Sequence, residues 1–328
     1  MEVVAVGEIL VVLRPPKYHI LETARLLEIL VGGSEANVLA GLARLGHTVG
    51  LITRVPDNPL GRLAIAKYRS AGVDMSRVLW SSDGKMGLAF VELSTPPRKN
   101  RFIYDRSLSE ASKLSKDDID YDYVRKAKVL HLSGITPALS KSCAEVVRIL
   151  VEFAKRNGLT VSFDINYRRN LWSPDEAKKI IGEVMKNGVD IVFAKEEEIS
   201  LIFGLHERSF KEVYKRFEEK YGIKQLVISL GTKGCYAIAD NTSYKGKPYK
   251  VEQINRCGVG DAFIAGFLHG YLNGFLLQDS ITYGQAMSLV KYTILNENIP
   301  LVERKLVDEV FENLKSGNVP LDAHAIER

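Results

Sequence analysis

The sequence predicts an α/β protein: a mostly parallel central sheet with helices on both faces, and a small β-sheet flap over one edge. Three observations carry this. From about Val49 onward, short apolar runs alternate with helical periods. Those runs are almost continuously apolar, as strands covered on both faces are. Two stretches, 8–33 and 86–106, break the rhythm with extended segments around proline pairs.

Taken in chain order, residues 8–33 hold an apolar run (Ile9–Leu13), a Pro15-Pro16 turn and a second apolar run ending at Gly32-Gly33. A helix follows over Val38–Leu45, with Gly46 beyond its end, and then a strand at Val49–Val55. Residues 86–106 hold two extended segments, Met86–Leu93 and Phe102–Tyr104, around Pro96-Pro97. Neither excursion pairs a good helix with a parallel strand, so both are expected to leave the main sheet and build the flap; two unrelated surface hairpins are the alternative. Further strands are expected at Val129–Ser133, Thr160–Ile165, Asp190–Ala194 and Gln225–Leu230.

The helix over Ser140–Arg156 places Cys143, Val146, Val147, Leu150, Phe153 and Ala154 on one face, and Gly158 stops it. Two later helices open with Ser173-Pro-Asp-Glu176 and Ser209-Phe-Lys-Glu212, where hydroxyl and carboxylate can satisfy free N–H groups. Pro174 suits the first helical position, where no N–H is missed.

The 328 residues allow one large domain or two small ones, and either can bury a sizeable core. With 45 Lys plus Arg against 40 Asp plus Glu, the net charge of +5 is too weak an excess for a nucleic-acid binder. The basic cluster Pro97–Arg101 is short and belongs to a loop. Three scattered cysteines and six histidines show no zinc spacing, and a reducing compartment suits them. No basic leader and no run of 18 apolar residues occurs, so the expectation is a cytoplasmic protein with no membrane partner.

Five segments could carry chemistry. Gly258-Val-Gly-Asp261 leads into an apolar helix, so backbone N–H groups can converge on an anion at its N-terminus. Asp261 at that mouth could accept a proton from an attacking hydroxyl, or could simply cap the helix. Ser229-Leu-Gly231-Thr-Lys-Gly234 follows an apolar strand and suits a nucleotide-contacting turn or a plain hairpin into Tyr236–Ala239. Gly32-Gly33-Ser-Glu-Ala-Asn37 opens a helix and offers an amide to a polyhydroxy ligand. Asp164, Asn166 and Arg168 sit where a parallel strand leaves the core, on one side by strand alternation, which is where α/β sheets bind ligands. Lys195-Glu-Glu-Glu198 follows another strand end, as a solvated helix start or a metal contact. No Walker A loop and no GxGxxG fingerprint occurs.

In this order the motifs resemble the ribokinase (PfkB) family of carbohydrate kinases, over nearly the whole chain from Gly7-Glu8 to the C-terminal helices. Gly32-Gly33 with Asn37 resembles its N-terminal signature, and Gly258-Val-Gly-Asp-Ala-Phe263 its C-terminal GAGD signature. Tyr104-Asp105-Arg106, His131–Thr136 and Asp164–Trp172 are most similar to 2-keto-3-deoxygluconate kinases, with fructokinases next.

The resemblance implies a single ribokinase-like domain over 1–328, with 8–33 and 86–106 as a β-lid that closes over substrate and joins a homo-oligomer. It implies Asp261 as base, Gly258, Val259 and Gly260 as anion hole, and Gly33, Asn37, Tyr104, Arg106, Asn166 and Arg168 around a sugar acid, Arg168 also reaching the transferred phosphate. Lys195, Ser229, Gly231 and Gly234 would border ATP, and Glu198 would contact Mg²⁺ through water. An arginine fork suits a carboxylate, whereas a neutral hexose gives Arg106 no such partner; the alternative for Arg106 is a salt bridge on the lid. The chain departs from the family pattern at Asn255-Arg256-Cys257 (usually Asp-Thr-Thr), Lys195 (usually Asn), Ala89 (a Tyr in related keto-sugar kinases) and Val259 (usually Ala). A fructokinase-like or nucleoside kinase, and a degenerate sugar- or nucleotide-binding protein, stay open as alternatives.

Overall fold

A computed structural model describes residues 1–16, 19–95, 97–205, 209–240, 242–249, 251–295 and 298–317. Pro96, half of the expected Pro96-Pro97 turn, lies outside the described residues. Thirteen strands are present among those described: β1 Val3–Val6, β2 Leu10–Arg14, β3 Glu28–Gly32, β4 Val49–Pro56, β5 Asp74–Ser81, β6 Gly87–Glu92, β7 Arg101–Asp105, β8 Val129–Ser133, β9 Thr160–Asp164, β10 Ile191–Lys195, β11 Gln225–Ser229, β12 Cys235–Ala239 and β13 Thr242–Gly246.

Nine of them form one sheet, in the order β13-β12-β11-β10-β9-β8-β1-β4-β5. From β11 to β5 every pairing is parallel, and the β11–β12–β13 edge is antiparallel. The strands expected at β4, β8, β9, β10 and β11 appear within one residue at either end. The central strand β1 and the edge strand β5 were not expected. β1 is a four-residue apolar run with no helical period before it, and β5 is amphipathic, burying Met75 and leaving Trp80 nearly half exposed.

Pleat alternation divides the core into two layers. Val3 and Ala5 join the cluster on one face of the sheet, while Val4 and Val6 join the other. The helix Val259–Leu272 crosses Leu277–Tyr292 in the first layer so closely that a Cβ on Gly266 would lie 2.8 Å from the Gly284 backbone.

The flap exists as a separate sheet, β3-β2-β6-β7, in which the parallel pair β2–β6 joins two antiparallel pairs. In register, Leu30, Val12, Ala89 and Tyr104 form a row on one face, and Ile29, Leu13, Phe90 and Ile103 a row on the other.

Helix starts follow the sequence with two exceptions, the first being the helix expected over Val38–Leu45, which begins four residues earlier and runs Ser34–Arg44 straight from the double glycine. Ser140 and Ser173 cap their helices, the latter with Glu176 in a reciprocal box. The box expected at Ser209–Glu212 does not form. The Glu212 and Val213 N–H groups both donate to the Ser209 carbonyl, at 3.1 and 3.4 Å, so the N–H that the box assigns to the hydroxyl is already taken.

Candidate active site

The C-terminal ends of the parallel strands and the inner face of the small sheet enclose a cavity of about 650 Å³. Gly33, Asn37, Tyr104, Arg106, Asn166 and Arg168 line one part of it, and Lys195, Ser229, Gly231 and Gly234 another. Gly258, Val259, Gly260 and Asp261 complete the wall. All the expected site residues except Glu198 therefore meet in one space.

Asp261 stands in the first turn of Val259–Leu272, and two side chains hold its carboxylate. Asn37 Nδ2 donates to Oδ2 at 2.7 Å and Ser34 Oγ to Oδ1 at 3.1 Å. Tyr68 OH donates to Asn37 Oδ1 at 2.8 Å, which turns the amide N–H₂ toward Asp261. On the other side, Asn166 Nδ2 donates to Ser34 Oγ at 2.7 Å and to Asp164 Oδ2 at 2.9 Å. Burial pushes the Asp261 carboxyl up from its ordinary range, and Asn37, Ser34, Arg168 and Lys195 pull it back. Burial drives Asp164 well up too, reinforced by Glu198 and opposed by Lys195 and Arg168.

The glycine loop leads the chain into the N-terminus of Val259–Leu272 at the cavity wall. Gly258 adopts φ +75°, and a Cβ there would lie 2.0 Å from the Asn298 carbonyl oxygen, so the turn requires glycine. A Cβ on Gly260 would meet nothing within 4 Å. The first N–H groups of the helix have no carbonyl one turn back, and the helix dipole adds positive potential there. Buried Asn255 fixes the approach: it donates to the Leu295 carbonyl at 3.0 Å and accepts from Cys257 N–H at 2.9 Å.

Asp164, Asn166 and Arg168 do converge, but not by strand alternation. β9 ends at Asp164, and Asn166 adopts a left-handed φ of +38°, turning the chain into the cavity. The Ser229–Gly234 segment forms the expected hairpin. It is a hairpin turn between β11 and β12, and it also lines the cavity.

Glu198 stands outside the cavity lining that the other expected residues share. Its Oε2 accepts from Lys195 N–H at 2.8 Å and its Oε1 from Tyr167 N–H at 3.0 Å, so the carboxylate holds two backbone segments and sits behind the cavity wall. No group of three or more His, Cys, Asp or Glu among the described residues could hold a metal.

Arg106 is buried in the cavity wall rather than on the lid surface. Its guanidinium lies 5.0 Å from the Tyr104 ring and its Nη2 lies 2.7 Å from Glu8 Oε2. Ala89 lies in the row between Val12 and Tyr104 on the small sheet. Glu8, Ser34 and Tyr68 carry parts of this site that motif reading passed over. Ser34 adjoins the double glycine, and Glu8 is an isolated acid between apolar runs; nothing local marks Tyr68.

Comparison with known proteins accords with this geometry. A family profile described as pfkB family carbohydrate kinase matches residues 1–295. The chain is 30% identical over 321 residues to a 2-dehydro-3-deoxygalactonokinase of Haloferax volcanii, covering 98% of this chain and 99% of that one. It is 32% identical over 309 residues to a 5-dehydro-2-deoxygluconokinase of Clostridium perfringens, covering 92% and 90%. The crystal structure of 2-dehydro-3-deoxygluconokinase from Thermotoga maritima superposes with a TM-score of 0.90 at 28% identity, covering 95% of this chain and 98% of that one.

Proposed function

The chain belongs to the pfkB family of carbohydrate kinases, and on that premise we propose that it phosphorylates the terminal primary hydroxyl of 2-keto-3-deoxygluconate, or of a close keto-deoxy sugar acid, with ATP as donor. The observation that carries this is the placement of Asp261, held by Asn37 and Ser34 beside the Gly258–Gly260 loop, in a cavity whose wall also presents Arg106 and Arg168. The named relatives all act on keto-deoxy sugar acids, and a buried guanidinium suits a carboxylate better than a neutral hydroxyl.

In this reading the sugar lies under the small sheet, its carboxylate toward Arg106 and its terminal hydroxyl toward Asp261. Closure of the lid excludes water, so phosphate is not lost to hydrolysis. Asp261 accepts the hydroxyl proton as the new P–O bond forms. The N–H groups at the start of Val259–Leu272, with Arg168 and Lys195, receive the charge that gathers on the transferring phosphate. Ser229, Gly231 and Gly234 border the nucleotide.

Mg²⁺ would travel with ATP, taking most ligands from phosphate and water and needing only one or two protein carboxylates. That suits a cleft in which Asp164, Glu196 and Glu197 line the wall and Glu198 is within reach only through water. Bound there, it supplies neutralising charge to the phosphates.

The row Ile29, Leu13, Phe90 and Ile103, with Ile29 and Ile103 about half exposed, supports a homo-oligomer joined through the lid. No helix among the described residues is long and apolar enough to cross a membrane.

Incubation with Mg-ATP and a panel of sugar acids, ketohexoses and nucleosides, read by mass, tests the assignment. A phosphorylated sugar acid is the expected product. A phosphorylated fructose or nucleoside alone would overturn the substrate, and binding without any product would favour a degenerate binding protein.

A further inference from the structure

The wall around Arg106 contains more acid than a carboxylate subsite needs. Glu8 is 2% exposed and Arg106 5% exposed, and both line the cavity. Their ions touch, Nη2 to Oε2 at 2.7 Å, yet neither Arg106 Nε nor Nη2 has an aligned acceptor, and Glu8 Oε2 has no aligned donor. Nε and Nη2 form the edge of a guanidinium that accepts a carboxylate through two parallel bonds. Both nitrogens have almost no exposed surface, and the ion pair as a whole lines the cavity.

A sugar carboxylate docked on Arg106 from the cavity would put two carboxylates against one guanidinium, in a place with little water. One uncompensated buried charge costs several kcal/mol, and the least costly relief is a proton on the protein acid. We propose that Glu8 takes up a proton when the carboxylate of a sugar acid docks on Arg106, so that Glu8 is a specificity-determining residue of this subsite. The inference rests on the sugar-acid reading above. The substrate stays ionised and no bond in it breaks; the proton comes from solvent, and the subsite is neutral before and after, as Glu8⁻ with Arg106⁺ and then as Glu8-H, Arg106⁺ and substrate carboxylate.

The surroundings favour this. The groups facing Glu8 are Arg106 beyond β7, Ser109 with its Oγ 3.5 Å from Oε1, Glu35 from the helix Ser34–Arg44, and Cys143 from the helix Lys141–Arg156. Glu35 is fully buried, and Ser133 and Thr136 both donate to its Oε1. Arg106 is the one cation in this group. Burial, with help from Glu35 and against Arg106, pushes the Glu8 carboxyl up to about 7, so a further anion tips it to the neutral form.

The test is calorimetry of 2-keto-3-deoxygluconate binding without ATP, in buffers of different ionisation heat. One pH unit above the Glu8 value, close to one proton should be taken up per site, and one unit below it far less. Affinity should weaken by about tenfold per pH unit above that value. Glu8→Gln should bind with no uptake and a flat pH profile. Binding to the wild type with no proton uptake overturns the inference by itself, whether or not Glu8→Gln folds; uptake that persists in a folded Glu8→Gln overturns it too. Absence of binding by any sugar acid sinks the substrate reading and this inference with it.

Discussion

Asn37 Nδ2 lies 2.7 Å from Asp261 Oδ2, joining the first helix of the chain to the glycine loop across 224 residues. This bond fixes both the direction and the charge of the acid that would take the substrate proton. It also stands in the middle of a relay that runs from Tyr68 to Asp164.

Asp261→Asn keeps the shape and removes the base. Turnover should fall by about 10²–10⁴-fold while sugar affinity stays near wild type. Unchanged turnover would remove Asp261 from the chemistry. In the wild type, activity should fall as pH drops through the carboxyl's raised value, because only the ionised form accepts a proton.

Asn37→Ala removes the strongest of the hydrogen bonds that hold Asp261 ionised. The acid limb of the kcat–pH profile should therefore move to higher pH. Tyr68→Phe, which frees the Asn37 amide to turn, should move it in the same direction by less. A limb that stays in place would show that Asn37 does not tune the acid.

Arg106→Ala should reduce kcat/KM for a sugar acid by roughly 30-fold or more, about 2 kcal/mol or above, with a smaller loss for fructose. Equal losses on both sugars would argue against a carboxylate contact.

Gly258→Ala and Gly260→Ala separate folding from phosphate handling. The first forces a Cβ against the Asn298 carbonyl at φ +75° and should lower Tm as well as turnover. The second meets no atom within 4 Å and should leave Tm unchanged or raised, since alanine is the better helix former. If Gly260→Ala still slows transfer, the loss lies in the cavity and not in the fold.

Acid should destabilise the protein through His269. Buried in the Val259–Leu272 helix against Tyr283, with His47 Nε2 2.8 Å away, it is drawn down to about 4 in the folded state. The unfolded chain then binds the extra proton, so the stabilisation is complete above about pH 6.5 and lost as pH falls to about 4, about 3 kcal/mol in all. Thermal melts across that window should show the decline, and His269→Gln should make it shallower, the remainder coming from buried His131, which desolvation draws down to about 3.

The fold was largely legible because its signals are local. Continuous apolar runs marked β8 through β11, and Ser140 and Ser173 marked helix starts through contacts only three residues long. β1 escaped because four apolar residues carry no period of their own, and the Ser209 box failed because a backbone carbonyl reached the same N–H groups first.

By itself the sequence determined the α/β architecture, the two excursions that become the small sheet, and the glycine-rich turns, since each depends on neighbours along the chain. Only the tertiary structure decided how the polar residues pair. It turned Arg106 inward against Glu8, gave both Glu198 oxygens to backbone N–H groups, and set Asn37 against Asp261. The physical reason is burial: a polar group must find its partner where water is excluded, and that partner is chosen by proximity in space, which no spacing in the sequence encodes.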